Sequence, residues 1–134
     1  MPFDLDAELG VSAQALTLHA RRLQLLASNI ANADTPNYKA RDIDFRAALN
    51  RAADLAAMPP MARTQPTHLE APSPDANAEL KYRQPLAPSL DGNTVDMQME
   101  QAAFAEASVR YQASISFVNG AFRDLMLAIT GQGT

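Results

Sequence analysis

Two apolar seams of period seven, one towards each end of the chain, limit its folding more than any other feature. Leu9, Leu16, Leu23 and Ile30 recur every seven residues, and Ala13, Ala20 and Ala27 follow the first three by four. Towards the other end Met97, Phe104, Tyr111, Val118 and Leu125 repeat in the same way, with Ser108, Ile115, Phe122 and Ile129 four residues behind. A seam of that period is buried when two helices lie side by side. The chain is therefore expected to be mainly α, with two long terminal helices pairing as an antiparallel coiled coil. Alanine supplies 26 of the 134 residues, which suits helices that approach closely better than a thick core. A second stripe, Val11, Leu18 and Leu25, marks another face of the first helix, and two apolar faces imply two sets of neighbours. This second stripe is expected to meet neighbouring subunits.

Between the seams the character changes. Seven of the nine prolines fall between Pro59 and Pro88, and proline removes a helical hydrogen bond and clashes with the preceding turn. Four segments follow: an N-terminal coiled-coil helix over 1–33; a turn, strand and short helix over 34–58; an extended, flexible, proline-rich middle over 59–90, with room for a short hairpin around "KYRQPL"; and a C-terminal coiled-coil helix over 91–134. In "LDGNTVDM", Asp91-Gly92 makes a turn, Asn93 is expected to cap the last helix, and Asp96 falls where the acid of a capping box stands.

The stretch "NIANADTPNYKARDIDF", residues 29–45, is dense in turn formers. Pro36 cannot continue the first helix and holds Thr35 extended. Thr35-Pro36-Asn37-Tyr38 fits a type II turn with Asn37 at the position that needs positive φ. The side chains of Asn29, Asn32 and Thr35 suit the carbonyls left open at the helix end. Asp42-Ile43-Asp44-Phe45 alternates as a half-buried strand does, with Ile43 and Phe45 inward and the carboxylates outward. A rigid corner followed by a charged strand beside a helical seam is the pattern of an assembly surface.

The enzyme and nucleic-acid classes find no support. The net charge is −4 with no Lys/Arg cluster, so nucleic acid has no electrostatic footprint to meet. With no cysteine, disulfides and thiolate chemistry are excluded. His19 and His68 are the only histidines and lack metal-ligand spacing, and no phosphate-loop, dinucleotide or nucleophile-elbow motif occurs. No catalytic residue, cofactor or metal is expected. Asp4, Asp6 and Glu8 stand where a secretory signal needs positive charge, and no window approaches the ~18 apolar residues of a membrane span.

"LASNIANADTPNYKARDIDFRAAL" together with "SLDGNTVDMQMEQAAFAEASVRYQASISFVNGAF" resembles the signatures of bacterial flagellar rod and hook proteins, over about two thirds of the chain, with the proximal rod as the nearest match. Where that family usually has glycine after the proline, this chain has Asn37, which also tolerates positive φ. The resemblance implies a structural subunit of the proximal rod in the flagellar basal body, serving motility. It implies export from the cytoplasm by the flagellar type III apparatus without a cleaved signal, and assembly in the periplasm. The implied partners are further copies of itself, the neighbouring rod protein FlgC, the membrane-ring adaptor FliE and the export apparatus; Phe45 and Leu49 resemble the short motif read by the export gate. On this reading the joint comprises Asn29, Asn32, Thr35, Pro36, Asn37, Tyr38, Asp42, Asp44 and Phe45. Without the resemblance, the same seams would serve a cytoplasmic coiled-coil adaptor or export chaperone.

Overall fold

A computed structural model describes residues 5–57, 65, 80–85 and 89–131. The proline-rich middle expected over 59–90 lies outside these apart from 65, 80–85 and 89–90, as does His68. The described chain is mainly helical. Helix α1 spans Leu5–Ala31, α2 Phe45–Ala57 and α3 Met97–Thr130, and strands β1 (Arg41–Ile43) and β2 (Leu80–Tyr82) form one small sheet.

Local chemistry sets the element ends. α1 stops where the Asn32 side chain donates back to the Ser28 carbonyl at 2.8 Å and Pro36 follows. Asp44 begins α2 by accepting the Ala47 N–H at 3.1 Å, a capping bond that satisfies an otherwise orphaned donor. The strand therefore ends at Ile43, and Phe45, which closes the alternating stretch in the sequence and also opens the expected short helix, is the first residue of α2. α3 is capped by Asp96, extended at φ −102° and ψ 108°, whose carboxylate accepts from the N–H groups of Gln98 and Met99. The cap expected of Asn93 thus falls to Asp96, because helical geometry begins only at Met97. α3 ends at Gly131, left-handed at φ 64°, with its N–H on the Leu127 carbonyl.

The sheet is antiparallel, pairing Arg41 with Tyr82, Asp42 with Lys81 and Ile43 with Leu80. Arg83 N–H to the Ala40 carbonyl at 2.9 Å extends the pairing by a step. Of the segment expected to carry a short hairpin, Lys81 and Tyr82 belong to β2 and pair with β1; Leu86 lies outside the described residues.

Leu18 and Ile43 are buried together, with Leu25, Phe45, Ala48 and Leu49 packed around them. This corrects the reading of the second α1 stripe: Leu18 and Leu25 do not look outward, because β1 and α2 of the same chain cover them. Burying side chains of this size is worth roughly 1.5–3 kcal/mol each.

α3 packs along α1. Asn29 meets Glu100, Arg22 feels Glu106 and Glu100, and His19 feels Arg110. Leu26 of α1 and Ala107 of α3 have no exposed surface, whereas Ala13 and Ala27 are exposed. The small column of α1 therefore sits outside the contact. Its buried positions instead follow the leucine column by three residues, at His19 and Leu26, because β1–α2 and α3 cover adjacent sectors and leave the alanine side open. Leu16, Leu23 and Ile30 are half-buried, as are Tyr111, Val118 and Leu125 on α3. The side chain of Leu9 is outside the described residues. Phe104 lies at the edge of the contact, 37% exposed.

Candidate assembly joint

The corner after α1 is held from across the chain by the loop before α3. Asn37 sits at φ 63°, and the Tyr38 N–H closes the turn on the Thr35 carbonyl at 3.3 Å. The Asn37 N–H then donates to the Asp91 carbonyl at 2.9 Å, and the Thr94 N–H to the Tyr38 carbonyl at 3.0 Å. The Thr94 hydroxyl accepts the Ala40 N–H at 2.8 Å, and Lys39 Nζ reaches the Gly92 carbonyl at 2.6 Å.

Asn93 is the centre of this clasp. It is buried, and its amide nitrogen donates to the carbonyls of Asn32 (3.0 Å), Ala33 (2.6 Å) and Thr35 (3.0 Å), while its amide oxygen accepts the Val95 N–H at 2.8 Å. The carbonyls of Ser28, Asn29 and Ile30 at the end of α1 are met locally by Asn32 and Ala33, and Asn93 binds the carbonyls of the turn that follows. Beside it Gly92 has φ 70°, and a Cβ there would lie 2.7 Å from the Asn37 amide oxygen. The positive φ favours glycine, and any side chain there would also displace the Asn37 amide from its position. Asp91 steadies the loop, accepting from the Ser89 hydroxyl and the Asn93 N–H, and those bonds hold its carboxyl below the usual carboxylate range.

Behind the corner lies a polar network joining four elements. Arg22 of α1 donates to both Asp42 oxygens, at 3.0 and 3.2 Å. Arg83, just past β2, bridges Asp42 and Glu100 with 2.6 Å bonds to each. Glu100, at the start of α3, is 1% exposed and also accepts from the Asn29 amide at 3.2 Å. A buried carboxylate survives only when paired and hydrogen-bonded, and Glu100 is both. Burial pushes the Asp42 carboxyl up, but the bonds from Arg22 and Arg83 overcome this and leave it below its ordinary value. Asp42, expected to face solvent, is therefore drawn into the interior by two arginines. Asp44 does stay at the surface, paired with Lys81 at 2.8 Å, and that bond lowers its carboxyl.

Asn29 ties the network to the sheet. Its amide accepts the Arg41 N–H at 3.1 Å and donates to the Arg41 carbonyl at 2.8 Å, the two bonds that a neighbouring strand would make. The Tyr38 hydroxyl touches Ser28 at 3.3 Å and Asn29 at 3.4 Å. Thr35 bonds Asn32 at 3.2 Å, and Pro36 is exposed. Phe45 and Leu49 pack on the Leu18–Ile43 core.

Arg22, Arg83, Thr94 and Glu100 have no place in the sequence analysis; Gly92 stands there as a turn residue and Asn93 as a cap, without their links to the corner. One signal was present: Glu100, Ala107, Ser114 and Ala121 are seven apart, so a lone carboxylate begins a column of small residues. Such a charge on a helix seam calls for a partner. Among the described residues no group of acidic or histidine side chains could hold a metal ion, and no helix is long and apolar enough to cross a membrane.

Known proteins share this arrangement of sequence. Residues 9–39, which carry α1 and the corner, match a family model described as flagella basal body rod protein. The flagellar basal body rod protein FlgB of Cereibacter sphaeroides is 51% identical over 125 residues, covering 93% of this chain and 95% of its own. FlgB of Escherichia coli K12 is 46% identical over 127 residues, 91% of this chain and 92% of the relative. FlgB of Salmonella typhimurium is 41% identical over 132 residues, 95% and 96%. These likenesses run through the corner, the network and both long helices, and by them the chain belongs to the FlgB family of flagellar basal body rod proteins.

Proposed function

We propose that this chain is a structural, non-enzymatic subunit of the flagellar rod, and that α1 and α3 act in it as an antiparallel coiled coil. The pairs His19–Arg110, Arg22–Glu106 and Asn29–Glu100 support that orientation, since they step forward along one helix as they step back along the other. One observation carries the assembly reading. α3 leaves large apolar side chains uncovered along much of its length, among them Phe117 (77% exposed), Phe122 (54%) and Ile129 (78%). Apolar surface of that extent marks a place for partners. Copies of this chain and adjoining basal-body proteins, FlgC and FliE among them, cover it, and the clasped corner fixes the angle between the helix pair and the next subunit.

The rod site is periplasmic, and the chain reaches it through the type III export apparatus without a cleaved signal. Phe45 and Leu49 support one detail of that route. Both are packed in the folded chain, so an export gate that reads them meets the chain before it folds.

Deleting the gene and examining basal bodies tests the proposal. Loss of swimming with no rod, restored by the intact gene, and this protein in the purified basal body are the expected results. Normal swimming, or a protein that stays in the cytoplasm, overturns it in favour of an adaptor.

A further inference from the structure

His19 is built into α1 as a neutral group. Its ring is 8% exposed and stacked on Phe45, the first residue of α2, with centroids 4.2 Å apart and planes 19° from parallel. Its Nδ1 is buried with no hydrogen-bond partner among the described residues. The charges bearing on the ring are both positive: Arg110 from α3 and Arg22 from α1 itself. The carboxylates near these arginines are engaged, Asp42 of β1 with Arg22 and Arg83, and Glu106 of α3 with Arg110 at 2.6 Å. From α2 the ring meets the uncharged Phe45. An imidazolium here would carry an unanswered N–H beside two cations, in a place with little solvent.

We propose that His19 is a proton-sensitive latch: taking up one proton from solvent expels its ring from the stack on Phe45 and releases α2 from α1. The released helix carries Phe45, Ala48 and Leu49, so opening uncovers the α2-facing side of Leu18 and Leu25, while the Arg22–Asp42 and Asn29–Arg41 bonds keep β1 on α1. The packing of α3 lies on an adjacent sector of α1 and stays closed, making this a local opening rather than unfolding.

Burial first, then Arg110 and Arg22, hold the His19 ring below its ordinary 6.5. The open state recovers the ordinary affinity. Closure is therefore at full strength above pH 6.5 and weakens as pH falls towards the lowered value, by up to about tenfold in the opening constant per pH unit.

The test uses the intact chain followed by NMR from pH 8 to pH 5, before the carboxylates titrate. His19 should titrate below its ordinary 6.5. Amide protection at Ala48 and Leu49, corrected for intrinsic exchange, should fall by up to about tenfold per pH unit below 6.5, while that of Ala107 and Tyr111 holds. His19→Phe keeps an aromatic ring against Phe45 and cannot take a proton, so its α2 protection should be flat over this range. An equal fall in His19→Phe overturns the proposal. Should that variant fail to fold, the wild-type chain still decides: His19 titrating at or above 6.5, or titrating with no loss of α2 protection, overturns it.

Discussion

Asn93 gives one amide group to three carbonyls of the turn after α1. Asn93→Ala would remove these bonds and leave the Ala33 carbonyl without its side-chain donor, so a loss of about 1–3 kcal/mol is expected in chemical denaturation; an unchanged midpoint would show that the clasp does not hold the corner. Asp42 makes a second prediction. Its carboxyl is lower in the folded chain than its ordinary 3.8, so its contribution is complete above that value and declines as pH falls through the lowered one. Asp42→Asn should flatten the acid limb of a stability–pH curve below about pH 4 and leave two arginines poorly matched at neutral pH. Neither effect could be foreseen from Asp42 as an outward strand residue, because its partners Arg22 and Arg83 arrive from opposite sides of the sequence.

At the level of elements, periodicity was informative and its phase was not. A period of seven announces helices in both terminal regions, and α1 and α3 are there. It does not say which flanking column is buried, since spacings of three and four fit it equally. Ala27 therefore took the place of Leu26 in the reading. The corner was legible because proline and a positive-φ asparagine have few conformations open to them. The pairing of β1 with β2 was not, since it joins segments on either side of the proline-rich middle. Leu18 shows why the placement matters. As a buried side chain beneath α2, its replacement by alanine should cost about 2–5 kcal/mol in the free monomer. As an outward residue it would cost almost nothing, and thermal unfolding of the monomer distinguishes the two.

The whole molecule has a covered side and an uncovered one. β1 and α2 close over α1, while Phe117 and its neighbours on α3 remain open. Phe117→Ser should leave monomer stability within about 0.5 kcal/mol of wild type, as surface changes usually do, yet reduce incorporation into basal bodies. Equal incorporation of the variant and wild type would remove that face from the assembly. The sheet adds a last consequence. A pair of strands ordinarily offers two open margins to any passing strand, but here the Asn29 amide already occupies the main chain of Arg41. Among the described residues, the β1 flank of the ribbon is closed. In the assembly proposed above, where copies of the chain lie against one another, the corner thus has one flank where indiscriminate strand exchange finds nothing to grip.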